Sequence, residues 1–173
     1  MHFQRFTADD PAALERRIAD AQQQLIELQR AGGDASTLDH IESLGGMLTT
    51  ARREGEARAL LVPAVASARA LGPSELLGWL LLQLATANQY LDRREEAGGQ
   101  FAEALSLAES LGLERLAHFT LSHWARLLVE DGDLDRAQAF FTRALQMRVR
   151  LGDPRQASSR KALDAVARLQ ASR

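Results

Sequence analysis

Leu71-Gly72, Leu111-Gly112 and Leu151-Gly152 stand 40 residues apart, and Ala31-Gly32 continues the series towards the start of the chain. Ala57, Ala97 and Ala137 keep the same register, as do Ala64, Ala104 and Ala144, and Leu61, Phe101 and Phe141. An echo of this length marks stacked supersecondary units that cannot bury their apolar faces alone. It predicts an elongated stack whose product is a surface rather than a reaction centre.

Helical periodicity fills each period. Asp10-Pro11 supplies an N-cap followed by proline at the first helical position. Leu14, Ile18, Ala21, Leu25 and Leu28 then recur every three or four residues up to Gly32-Gly33. Ser36 or Thr37 is placed to cap a helix carrying Leu38, Ile41, Leu44 and Leu48. Gly72-Pro73 stops the next helix, and Ser74 caps one running to about Leu91. Further helices end near Leu111-Gly112, Glu130 and Leu151-Gly152. Asp153-Pro154 repeats the cap-then-proline signal before Leu163, Val166 and Leu169. The expectation is eight helices and no strands, with loops so short that successive helices lie antiparallel. Pro63 falls inside a helix, where it predicts a kink. Gly98-Gly99 costs helix propensity and marks a candidate close approach between helices.

These residues resemble tetratricopeptide repeats of the long variety. Ile41, Leu44, Gly45 and Leu48 with Ala57, Leu61 and Ala64 form the first copy. Leu81, Leu84, Ala85 and Asn88 with Ala97, Phe101 and Ala104 form the second. Leu121, Trp124, Ala125 and Leu128 with Ala137, Phe141 and Ala144 form the third. The turn from Gly132 to Ala137 is the best single match. Asn88 stands where a large residue is usual, and Arg52 and Asp92 replace the turn glycine. The resemblance implies an all-α, tetratricopeptide-like right-handed superhelix of antiparallel helix pairs. One domain spans 1–173: a half-repeat helix at 10–32, repeats at 37–73, 74–113 and 114–153, and a capping helix at 154–170. Trp124, Phe101 and Phe141 are expected between the helices.

The residues offer little chemistry. With no cysteine, disulfides, thiolate metal sites and cysteine nucleophiles are excluded, and a reducing compartment is the natural setting. Residues 1–10 lack a basic segment followed by an apolar one, so no secretory signal is visible. Leu76–Leu84 is interrupted by Gln83 and falls far short of the ~20 apolar residues of a spanning helix. The cytoplasm is the expected compartment, with no membrane partner. A net charge of −2 with mixed signs argues against nucleic acid, although Arg155, Arg160, Lys161, Arg168 and Arg173 give the tail a basic bias against Asp164. Asp131-Gly132-Asp133-Leu134-Asp135 opens like a calcium loop, but Thr142 occupies the twelfth place, where a bidentate Glu belongs. His118 and His123 point about 140° apart on a helix, which removes a zinc pair. No cofactor, metal or catalytic residue is expected, and the chain does not read as an enzyme.

What remains is the free face of each pair's first helix, which the resemblance makes the lining of a concave groove for peptides or partner proteins. Asp39, Glu42, Gly46 and Thr49 form it in the first repeat. Trp79, Leu82, Thr86, Gln89 and Tyr90 form it in the second, and Phe119, Ser122, Arg126 and Glu130 in the third. Arg126 is the lone cation of this set, so a clamp for a terminal carboxylate is not expected. The groove suits an apolar segment or helix, with a basic residue near Asp39 and Glu42. The sequence reads as a protein-binding module, of the scaffold or sensor kind attached to bacterial regulators. Two alternatives stay open: an obligate homodimer that uses the same groove, and end helices that cover Trp79 and Phe119.

Overall fold

The computed structural model describes residues 2–32 and 35–172; the expected helix stop at Gly33 and the tail residue Arg173 lie outside them. Among the described residues the chain is all-α, with eight helices and no strand: α1 (Pro11–Arg30), α2 (Ala35–Thr50), α3 (Glu54–Leu71), α4 (Glu75–Tyr90), α5 (Arg94–Ser110), α6 (Glu114–Glu130), α7 (Leu134–Arg150) and α8 (Gln156–Ala171). Each helix packs on its sequence neighbour. In addition α2 packs on α4 and α4 on α6, so these three helices form one layer. Cohesion runs from unit to unit along the stack, as it must when no unit can bury its face alone.

Local chemistry explains three of the helix starts. The Asp10 carboxylate accepts the Ala13 amide at 2.8 Å, with Pro11 at the first helical position. Ser74 Oγ accepts the Leu77 amide at 3.2 Å to open α4. Asp133 Oδ1 accepts the Arg136 amide at 3.2 Å and caps α7. The other carboxylates of that turn are also engaged: Asp131 pairs with Arg94 at 2.9 Å, and Asp135 accepts from Gln170 at 2.9 Å.

Some boundaries differ from expectation. Ser36 and Thr37 lie within the first turn of α2, which already begins at Ala35. Asp153-Pro154 does not open α8; the helix starts at Gln156 because Asp153 instead accepts the Arg155 amide at 2.8 Å and its guanidinium at 2.9 Å and 2.8 Å. Helix α3 continues through Pro63, which is exposed. Gly98 and Gly99 mark no close approach, since a Cβ built on either meets nothing within 4 Å. That role falls to Gly78, where a Cβ would lie 2.3 Å from Leu116 Cδ2 on α6, and to Gly45, where one would lie 2.8 Å from the Leu61 methyls on α3.

Phe101 and Phe141 are buried at 0% and 1% exposure, filling the space between helix pairs beside the small Ala97, Ala104, Ala137 and Ala144. Trp124 is only half-buried; it stacks near Phe101 at 6.5 Å and meets Phe140 edge-on at 5.1 Å, leaving part of its indole at the surface. Asn88 is fully buried at its unusual position because it is bonded on both sides. It accepts from Arg58 Nε at 3.0 Å and donates to Gln100 at 2.9 Å, linking α3, α4 and α5.

Arg52 and Asp92, which replace the turn glycine, still adopt its left-handed backbone, with φ of 64° and 58° against 68° at Gly112 and 81° at Gly132. A Cβ crowds the following carbonyl in that region, at a cost of roughly 1–2 kcal/mol. Arg52→Gly is therefore expected to stabilise the fold by about 1 kcal/mol, less a part lost to the freer unfolded chain. Urea unfolding measures this directly; an unchanged or lowered midpoint contradicts it.

Candidate functional site

Helices α2, α4 and α6 line a cavity of about 960 Å³, open to solvent and bordered by α1 and the segment before it. The 40-residue echo sets its plan. Gly46, Thr86 and Arg126 occupy equivalent places on the three helices, and so do Ser43, Gln83 and His123; all six line the cavity. Its apolar wall is built by Trp79 and Phe119, both half-buried, whose rings meet edge to face at 5.4 Å. The Trp79 indole N–H is satisfied by Glu75 at 3.1 Å. Leu82 lies beneath them at 2% exposure.

Polar groups grade from acidic to basic across this wall. On the α2 side Glu42 accepts from Gln83 Nε2 at 2.6 Å, and burial raises its pKa above the usual carboxylate value. In the middle, the Thr86 hydroxyl bonds the Leu82 carbonyl at 2.8 Å and contacts His123 Nδ1 at 3.1 Å. On the α6 side, His123 is pushed down to about 3 by desolvation, then by the charges of Arg126 and Arg148. Arg148 on α7 and Arg155 before α8 complete this basic end. Arg155 lies 4.3 Å over the Phe119 ring, and Arg115 lies 5.6 Å from the Trp79 ring.

Of the thirteen groove residues expected from sequence, Glu42, Gly46, Thr49, Trp79, Leu82, Thr86, Tyr90, Phe119 and Arg126 line the cavity. The other four do not. Asp39 is exposed outside it. Ser122 is buried, its hydroxyl bonded to the His118 carbonyl at 2.8 Å. Gln89 is buried and donates to Glu130 at 2.9 Å, and Glu130 is taken by the chain's own N-terminal segment.

That segment is the main feature the sequence did not announce. Residues 2–9 cross one end of the layer. Glu130 receives the Phe3 amide at 3.0 Å and meets His2 Nδ1 at 3.2 Å. Gln4 donates to the Lys161 carbonyl at 3.4 Å. Arg5 lies 4.0 Å over the Tyr90 ring, donates to the Thr49 carbonyl at 3.0 Å and pairs with Glu54. The segment therefore covers the Tyr90 end and leaves the Trp79–Phe119 wall to the cavity. Residues 2–9 carry no periodicity, so no sequence signal placed them there.

Arg148 was also missed, yet it left a signal. It follows Ala137, Phe141 and Ala144 on the buried stripe of α7, at the place held by Ala68 and Ala108 in the preceding copies. All three are buried, at 2%, 1% and 4% exposure in chain order. Arg148 donates to His118 Nδ1 at 3.3 Å, to Ser159 Oγ at 2.7 Å and to the Arg155 carbonyl at 3.5 Å. It thereby ties α6, α7 and α8 together. His118 Nδ1 is the acceptor, so Nε2 carries the proton; it points at Asp153 from 3.6 Å and has no hydrogen-bond partner.

No family model matches the chain, and no curated protein matches it. Among solved structures it is similar to BtubC (BKLC) from P. vanneervenii, with a TM-score of 0.75 at 23% identity, over 92% of this chain and 67% of that one. At that identity the likeness defines the helical fold and nothing finer. No helix among the described residues is long and apolar enough to cross a membrane.

Proposed function

We propose that this protein is a non-catalytic interaction module of the tetratricopeptide type, holding an apolar peptide segment or helix in the cavity between α2, α4 and α6. It would serve as a scaffold or sensor in a bacterial regulatory system. The Trp79–Phe119 pair carries the reading: two large rings from adjacent helices face one cavity, and the chain's own end segments leave them half-exposed. Aromatic anchors in partly enclosed pockets dominate binding energy at interfaces. The grading from Glu42 to Arg126 supports an oriented ligand, because an extended peptide has distinguishable ends and side chains.

The test is Trp79→Ala, with a capped neutral peptide of alternating Leu and Gln as probe. Truncating an anchor costs roughly 2 kcal/mol or more, so affinity should fall at least tenfold while helicity is retained. Arg168→Ala, at an exposed position on α8, should change neither. Unchanged peptide binding by folded Trp79→Ala defeats the assignment. A concentration-dependent dimer in sedimentation, lost in Trp79→Ala, assigns the same wall to self-association instead.

A further inference from the structure

The basic end of the cavity holds more positive charge than the fold neutralises. The Arg126 guanidinium donates to one partner, the Ser122 carbonyl at 3.0 Å. Arg148 is 4% exposed, and its three acceptors are an imidazole nitrogen, a hydroxyl and a carbonyl, all neutral. Neither forms an ion pair among the described residues, whereas Arg155 beside them has Asp153 at 2.8 Å. Glu130 acts on Arg126 and Asp153 on Arg148, which offsets part of this charge, but neither carboxylate bonds these guanidinium groups, and a buried cation without a bonded anion is costly. Burial and the nearby charge of Arg126 together lower Arg148 to about 10.

The repeat stack does not require this arrangement. Where the third copy has Arg148, the earlier ones have Ala68 and Ala108; where it has Arg126, they have Gly46 and Thr86. Arg126 and Arg148 thus distinguish the third copy's part of the lining, which also holds Phe119, while Asp9, Asp10 and Arg17 from α1 and the segment before it, and Glu42 from α2, line the cavity elsewhere.

We propose that Arg126 and Arg148 form an anion subsite that binds the carboxylate of an acidic side chain in a peptide whose apolar neighbours rest on Trp79 and Phe119. The inference rests on the peptide-groove reading and gives that peptide its chemistry. Two guanidinium groups present several donors to one carboxylate, and the low-dielectric wall strengthens each charged hydrogen bond. An amide in its place would leave both cations unpaired, which is the source of the selectivity.

The test uses the full chain and two matched pairs of probes. Anilinonaphthalene sulfonate and phenyl-naphthylamine share an aromatic body, but only the first carries an anion. Capped peptides alternating Leu with Glu, or Leu with Gln, serve as competitors. The sulfonate dye is expected to bind at least tenfold tighter than the neutral dye, with the difference shrinking as sodium chloride is raised. The Glu peptide should displace it at least tenfold more effectively than the Gln peptide. Arg126→Gln should abolish both preferences and, because it removes a cation that no carboxylate bonds, should not lower the melting temperature; if that variant does not fold, the wild-type pairs and the salt series decide alone. Equal binding of both dyes and both peptides overturns the anion subsite while the apolar groove stands. Binding of neither dye nor peptide overturns the groove as well. Displacement by inorganic phosphate but not by the Glu peptide overturns the peptide assignment and leaves a site for a free anion.

Discussion

Phe101→Ala and Phe141→Ala are each expected to lower stability by about 3–5 kcal/mol, the range for emptying a fully buried aromatic site. Both rings lie between helix pairs, Phe101 in the core that joins α4 to α7 and Phe141 in the core that joins α6 to α8. The alanines around them allow close approach of backbones, and rigid helices cannot collapse into the resulting hole. Phe141 has a second consequence, because Phe3 of the N-terminal segment lies 6.3 Å from its ring. Its loss should loosen that segment, whereas Phe101→Ala should not. Phe6→Ala, at 69% exposure, serves as the near-neutral control. Urea denaturation reads the midpoint, and a reduced slope reports uncoupling of the end of the stack from the rest. A shift below 1 kcal/mol in both variants would contradict the packing described here.

The fold was legible because helix periodicity and the 40-residue echo are independent signals that agree. Each apolar stripe fixes which face of its helix is buried, and the echo fixes which helix repeats which. The failures turned on which partner a residue takes, and that choice is made both locally and across the stack. Asp153 reads as a helix cap until Arg155 competes for it. Gly98-Gly99 reads as a contact, but only the opposing Leu116 and Leu61 reveal that Gly78 and Gly45 are the tight positions.

The same distinction governs the site. Spacing put Trp79, Thr86, Phe119 and Arg126 on one helical face of their repeats, and the tetratricopeptide resemblance made that face a groove. Glu130 was placed on that face too, but no local pattern announces that Phe3 and His2 occupy it. Arg148 lay between these cases. A charge interrupting the stripe of Ala137, Phe141 and Ala144 is visible without a structure, and a buried arginine is informative because it needs partners. The echo sharpens the anomaly by supplying alanine at both earlier copies.

Acidification should destabilise the fold between about pH 6.5 and pH 3, through two histidines held neutral by it, His118 fully buried and His123 half-buried in the cavity wall. His118 is lowered to about 4 by burial and then by the charge of Arg148, with Arg155 acting in the same direction and Asp153 opposing them. His123 is lowered to about 3 by burial, then Arg126, then Arg148. In the unfolded chain both titrate near 6.5. Below that pH the unfolded state binds protons that the folded state refuses, so stability falls as pH falls. The contribution is fully present above pH 6.5 and is lost progressively as pH drops through the folded values. For His118, at full burial, the loss is on the order of 3 kcal/mol. Urea midpoints measured from pH 7 to pH 4 should decline, and His118→Gln should flatten the slope while lowering stability at pH 7, because Arg148 loses the Nδ1 acceptor. Imidazole resonances followed by NMR should show both rings still neutral at pH 5. A ring that titrates near 6.5 in the folded protein would mean that it is neither desolvated nor crowded by arginine charge as described.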